Sequence, residues 1–244
     1  ERGFQDAAIL EPLVFLIIVG TVLLQGVTAK PLAIRLGISE ADPQGFLIMG
    51  ADHFARDLGL AIQKAGFRVR LVDVNRANVI AAKMAGLDAV QGNILSEYVE
   101  SDLDLGQIGR LLAVTHNDEA NALACKHFED EFTSQEVYQL PPQLNDSRQA
   151  ALNSSNLGRL LFARNATCGF VTQVLEEGAV IKATPITDKF SFQDFQQLYG
   201  ENALILMAYQ ERRVVISTVD EPVRPRSGWT LISLVKEHAL PPSA

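Results

Sequence analysis

The chain has 244 residues, 48% of them apolar and 20% charged, with a formal net charge of −8. That length exceeds the usual single domain and predicts two, with enough apolar material for real cores. The acidic balance excludes a nucleic-acid surface, which needs clustered Lys and Arg.

The first predicted element is apolar on all sides. Pro12 to Ala29, "PLVFLIIVGTVLLQGVTA", carries no charge, and at helical rise it reaches roughly 27 Å, close to the thickness of a hydrocarbon core. Thr21, Gln25 and Thr28 recur near one face, and Gly20 and Gly26 leave room for another helix. This composition suits packing among membrane helices better than a lone anchor. A secretory signal fits poorly, because the preceding flank is acidic (Asp6, Glu11) and no clean small-residue cleavage site follows. The alternative is a central helix of a soluble protein. Lys30 and Arg35 follow the run and only Arg2 precedes it. The positive-inside bias therefore puts residues after about 30 in the cytoplasm and the helix in the inner (plasma) membrane. The cysteines agree: Cys125 and Cys168 form no CxxC pair and fit a reducing compartment as small buried hydrophobes. Cys125-Lys126-His127 has no second cluster of donors, so no metal site is expected. One such helix transports nothing by itself, and the chain, opening on Glu1, reads as the end of something longer.

From Gln44 the pattern becomes α/β. "QGFLIMGA" (Gln44–Ala51) reads as a buried strand ending at Gly50. Phe54, Leu58, Ala61, Ile62 and Ala65 then recur at helical spacing until Gly66. "FRVRLVDV" (Phe67–Val74) is a second strand, followed by a helix from about Arg76 to Ala85. "DAVQGN" (Asp88–Asn93), "RLLAVTHN" (Arg110–Asn117) and "QEVYQL" (Gln135–Leu140) are the third to fifth. Between the last two, Asn117 or Asp118 caps a helix with an expected apolar face of Ala120, Leu123, Ala124 and Phe128.

Strands alternating with helices predict a Rossmann-like, doubly wound parallel sheet, whose ligands lie beyond the carboxyl ends of its strands. Four short pieces then share one crevice: the Gly50 turn, Asp73, Asn93 and Thr115-His116-Asn117. The dinucleotide fingerprint G-x-G-x-x-G/A places Gly50 for the tight turn and Ala55 for helix packing, but Asp52 where the diphosphate-approach glycine belongs. Asp52 is either a bar to the diphosphate or the anion that caps the helix in its stead. Asp73 stands where an acid accepts from ribose hydroxyls, and an acid there favours NAD or adenosine over a 2′-phosphorylated cofactor. Its alternative role is a helix cap. The candidate binding residues are Gly50, Ala51, Asp52, His53, Asp73, Asn93, Thr115 and Asn117. His53 and His116 border the crevice either as pH-sensitive groups or as ordinary turn residues. No nucleophile, base and oxyanion group converge, so catalysis is not expected.

These segments resemble one family. "GTVLLQGVTAKPLAIRLGI" (Gly20–Ile38) resembles the last transmembrane helix of NhaP-type monovalent cation:proton antiporters. "GFLIMGADHFARDLGLAIQKAGFRVRLVDVN" with "LLAVTHNDEANALACKHF" resembles the regulatory TrkA-N (RCK) domain of potassium channels and antiporters. Their succession matches antiporters with a cytoplasmic regulatory tail. The resemblance implies a parent that exchanges Na⁺ or K⁺ for H⁺, with its ion-binding acids in earlier membrane helices absent from this chain. It implies binding of NAD(H) or an adenine nucleotide (AMP or ATP) through Gly50, Asp73, Asn93 and Thr115, and a homodimer formed through the TrkA-N domain. Asp52 departs from the family's second glycine.

The last segment changes character. "PPQLNDSRQAALNSSN" (Pro141–Asn156) reads as a linker or loosely capped helix start, and Leu157–Arg164 as a short helix. "GAVIKATPI" is a strand. Ser191 with Asp194 forms a capping box for a helix with Phe192, Phe195, Leu198 and Tyr199 on one face, ending at Gly200. "ALILMAY" and "RRVVIST" form a hairpin, and "GWTLISLV" is a last strand with Trp229 as a core residue. Its close, "RPRSGWTLISLVKE", resembles the end of TrkA-C domains. The expected organisation is 1–40 with the membrane helix, 41–142 TrkA-N-like, 143–165 linker and helix, and 166–240 a small α+β domain. The expected function is a nucleotide-sensing regulatory tail that works with the bilayer and an absent transport domain. The rival readings are a membrane-tethered NAD-dependent oxidoreductase and a dimerisation or interaction module that binds no ligand.

Overall fold

A computed structural model of the chain describes residues 7–35, 44–96, 103, 105–143 and 158–236. It divides into two compact units, Glu1–Pro43 and Gln44–Ala244.

Among its described residues the first unit contains one helix, α1 (Ala7–Arg35), which runs through Pro12 and Pro31. Its Pro12–Ala29 stretch is long and apolar enough to cross a membrane. All the side chains of that stretch are exposed. Its hydroxyls are satisfied within the helix: Thr21 Oγ1 donates to the carbonyls of Ile17 and Ile18 at 2.9 Å, and Thr28 Oγ1 to that of Leu24 at 2.6 Å. Such back-bonding satisfies each hydroxyl without a partner from outside the helix.

The second unit begins with a six-stranded parallel sheet in the order β3-β2-β1-β4-β5-β6. Its strands are β1 (Gly45–Met49), β2 (Val69–Asp73), β3 (Asp88–Gln91), β4 (Ile108–Ala113), β5 (Val137–Gln139) and β6 (Arg159–Leu160). The runs of β1 and β4 are apolar because both faces are covered, as parallel sheets require: Phe46, Leu47, Ile48, Leu111 and Leu112 are fully buried. At Gly45 an added Cβ would collide with the Gln107 carbonyl, so the strand opens on the one residue that fits between its neighbours.

The helices begin at side-chain caps, which satisfy backbone N–H groups that have no partner inside the helix. Asp52 caps α2 (His53–Lys64), Asn75 caps α3 (Arg76–Met84) and Asn117 caps α4 (Asp118–His127), which the one-turn α5 (Glu129–Phe132) follows. The inward face of α4 differs from expectation. Leu123 is exposed, and Asn121, Ala124 and Cys125 are buried. The helix is rotated because the Asn121 amide closes the turn after β4, a hydrogen-bonding demand that an apolar pattern does not express.

The expected linker before residue 158 lies mostly outside the described residues. Leu157–Arg164 is not helical where described. Arg159 and Leu160 pair with Tyr138 and Gln139 as β6, and Leu161 bridges to Thr218. At Gly158 the chain passes so close to α4 that an added Cβ would lie 2.6 Å from Cys125 Sγ. Strand pairing and this close passage outweigh a run too short for a helical period to be decisive.

After β6 comes a helix with no expected counterpart, α6 (Cys168–Glu176), capped by Thr167 and stopped at Gly178. An antiparallel sheet then follows in the order β7-β10-β8-β9. Its strands are β7 (Val180–Pro185), β8 (Ala203–Gln210), β9 (Arg213–Ile216) and β10 (Thr230–Val235). Helix α7 (Phe192–Tyr199) carries the reciprocal capping box of Ser191 and Asp194. Trp229 is partly buried against the cluster of Phe195 and Leu231. One apolar core joins both sheets and includes Phe46, Leu71, Met207 and Ile232. Phe67 lies edge-on to both Phe46 and Tyr209, with centroids 6.0 Å apart in each pair. Fully buried members of this core such as Phe46, Leu71 and Ile232 each contribute about 1.5–3 kcal/mol relative to exposure.

Candidate functional site

The strand order reverses between β1 and β4, and the loops at the carboxyl ends of β1 to β4 enclose a cavity of ≈ 440 Å³. Gly50, Asp52, Asp73, Asn93, Thr115 and Asn117 line it, together with His116, Asn78, Val72, Val74 and Ile94. Two further sequence candidates stand outside the lining. Ala51 is fully buried, and His53 is turned along α2 toward Asp57, with Nε2 at 3.4 Å from Oδ2.

Gly50 makes the first turn possible. Its φ of +116° is a conformation that side chains disfavour, and an added Cβ would meet Thr115 Cγ2 at 3.4 Å. The turn then enters α2 through Asp52, whose Oδ1 accepts from the Ala55 N–H at 2.9 Å. Arg56 braces the same turn by donating to the Ala51 carbonyl at 2.7 Å. The place where a diphosphate would meet the helix N-terminus thus holds a carboxylate already bonded to one of its free N–H groups.

Asp73 ties two loops together. Its Oδ2 accepts from the Ala51 N–H at 2.8 Å and from Asn78 Nδ2 at 3.0 Å, and its Oδ1 accepts from the Asn75 N–H at 2.8 Å. A carboxylate offers about four acceptor positions, so three are engaged and one on Oδ1 is left for a ligand hydroxyl. Asn75, not Asp73, supplies the side-chain cap of α3. Asn93 sits at the β3 end with its side-chain Oδ1 accepting from the Leu95 N–H at 3.0 Å.

The β4 end is held by Asn121. Its Oδ1 accepts from Thr115 Oγ1 at 2.6 Å and from the Thr115 N–H at 3.2 Å, while Nδ2 donates to the Thr115 carbonyl at 2.9 Å. Asn117 Oδ1 is engaged as the α4 cap with the Ala120 N–H at 2.9 Å. The sequence signal for Asn121 was its place four residues after a cap, on the side that faces back to the strand. Asn78, one turn into α3, has the same relation to Asp73.

The electrostatics are one-sided. Two carboxylates face the cavity, and no Lys or Arg is among its described lining residues. Apolar side chains of Val72, Val74 and Ile94 flank Asp73 at the β2 and β3 ends. The arrangement can accept from a hydroxyl and cover an apolar ring. Among the described lining residues, no Lys or Arg is placed to hold a free phosphate. Close behind the crevice, His116 Nδ1 lies 3.9 Å from Asp52 Oδ2 and touches the Sγ of Cys168. Burial, and after it the negative charge of Asp52, push the Cys168 thiol up to about 12.

Residues 46–139, from β1 to β5, match the family model of the TrkA-N domain. No curated protein matches the chain. Among solved structures, it is similar to the NAD(P)-binding domain of an exopolyphosphatase-related protein from Archaeoglobus fulgidus. The identity is 17%, covering 54% of this chain and 94% of that one, with a TM-score of 0.41. It is similar to the TrkA-N domain of the inner membrane protein ybaL from Escherichia coli at 14% identity, covering 57% and 98%, with a TM-score of 0.43. It is also similar to the GsuK channel bound to NAD at 12% identity, covering 96% and 46%, with a TM-score of 0.39.

Proposed function

We propose that this chain is the cytoplasmic regulatory end of a monovalent cation (Na⁺ or K⁺):proton antiporter, and that its crevice senses NAD(H) or an adenine nucleotide. The observation that carries the reading is a succession: an apolar helix long enough to cross a bilayer, then a TrkA-N domain whose β2 acid lines a cavity. Asp73 receives the ribose through its remaining acceptor position, and the apolar side chains beside it cover the base. The absence of Lys and Arg among the described lining residues favours NAD(H), AMP or ATP over a 2′-phosphorylated cofactor. The helix sits in the inner membrane beside the transport domain, with the rest in the cytoplasm as a homodimer. A ligand that prefers one conformation of this tail biases the transport domain by that difference in affinity. The tail binds and transmits; it does not transform its ligand.

One observation favours a rival, an interaction module without ligand. Asp52 occupies the diphosphate place, and three of the Asp73 acceptor positions are already engaged. Calorimetric titration of the full chain in detergent with NADH, NAD⁺, ATP and AMP separates the two. The sensor reading expects saturable binding of at least one of them, weakened tenfold or more by Asp73→Ala. Absence of binding by the native chain supports the interaction module. Binding that Asp73→Ala leaves unchanged removes the role of Asp73 in holding ribose.

A further inference from the structure

Three donor side chains from three separate segments of the chain converge beside the crevice. Asp52 stands at the end of β1, His116 at the end of β4, and Cys168 is the first residue of α6. One carboxylate oxygen, one imidazole nitrogen and the thiol sulfur all lie within 4.8 Å of one another. The roles of the Asp52 oxygens are divided. Oδ1 is committed to the α2 cap, and Oδ2 is the atom 3.9 Å from His116 Nδ1.

The geometry points to a binding site for a zinc-type divalent cation at Asp52, His116 and Cys168. A tetrahedral zinc with bonds of about 2.0–2.3 Å holds its ligand atoms roughly 3.3–3.7 Å apart. The three atoms, all within 4.8 Å of one another, reach those separations through small side-chain movements, in which His116 Nδ1 draws back from Cys168 Sγ and closes on Asp52 Oδ2. That ring is 63% exposed and has open space beside it, while Asp52 is anchored through its Oδ1 cap and Cys168 is buried. A sulfur, nitrogen and oxygen set selects zinc or a neighbouring transition ion over magnesium or calcium, which take oxygen alone. On binding, the Cys168 thiol gives up its proton to solvent and the thiolate bonds the ion, while Asp52 binds through carboxylate Oδ2 and His116 through an unprotonated ring nitrogen. The ion relieves the repulsion that Asp52 exerts on a thiolate at Cys168. Asp52 and His116 both line the cavity, so the fourth coordination position opens into it. The cation thereby supplies the positive charge missing from the described crevice lining. The site stands independently of nucleotide sensing.

The test is cobalt titration of the full chain in detergent, reduced and treated with a chelator beforehand. The expected result is one cobalt per chain, with a near-ultraviolet thiolate-to-metal band and intense visible bands of a tetrahedral ion, both bleached by one equivalent of zinc. Cys168→Ser removes the ultraviolet band and Cys125→Ser leaves it. His116→Ala changes an exposed residue, keeps the fold, and lowers cobalt affinity tenfold or more. Absence of the bands in the native chain overturns the proposal. So does a band that survives Cys168→Ser, or an affinity that His116→Ala leaves unchanged, either of which would make the three side chains a hydrogen-bonded cluster only.

Discussion

Replacing Asp73 by alanine removes the acceptor on which the Ala51 N–H, the Asn75 N–H and the Asn78 amide converge. The three losses are unequal. Ala51 is 0% exposed, so its N–H has no water to turn to, and an orphaned buried donor costs about 1–3 kcal/mol. The other two donors are nearer to solvent and recover most of their bonding, adding together roughly 1 kcal/mol. The expected loss is about 2–4 kcal/mol, which in a folded unit of this size lowers Tm by roughly 4–16 °C. Thermal unfolding followed by circular dichroism on the full chain in detergent measures the total. Amide hydrogen exchange at Ala51 reads the local effect, which should be a loss of protection confined to the β1–α2 and β2–α3 turns. A Tm within about 2 °C of the parent, or an Ala51 amide as protected as before, would refute the claim that Asp73 braces the turns of the crevice.

Gly158→Ala places a Cβ 2.6 Å from Cys125 Sγ and 3.0 Å from the Val137 carbonyl, and overpacking of that kind costs about 1–3 kcal/mol in urea denaturation. Burial raises the Cys125 thiol from 9.0 to about 12. The unfolded chain therefore loses that proton first, and the associated stability is complete below pH 9 and lost as pH rises toward 12; Cys125→Ala should flatten stability against pH across that window. Leu23→Lys puts a charge near the middle of the Pro12–Ala29 stretch, at a cost of about 2.5–3.5 kcal/mol for membrane insertion. The variant should shift from the carbonate-resistant membrane fraction to the soluble one, and unchanged fractionation would count against a spanning helix.

The sequence by itself determined the features that rest on neighbouring residues. The uncharged run of Pro12–Ala29, the apolar strand ending at Gly50, the helix start at Asn117 or Asp118 and the Ser191–Asp194 capping box each follow from local steric and hydrogen-bonding rules. The order of strands and helices likewise implied a parallel sheet and a crevice at its carboxyl edge, and with it half of the residues that line the cavity. What only the tertiary structure decided depends on partners distant along the chain. Two residues became β6 because β5 offered an open edge. Leu123 turned outward because Asn121 was needed at Thr115. Asp73 spends most of its acceptor capacity on donors from two turns. Cys168, 52 positions from His116, came to its side through α6, a helix whose place is set by packing. Local periodicity records which face of an element is apolar, but side-chain hydrogen bonds between loops are directional and are settled only once both loops are in place.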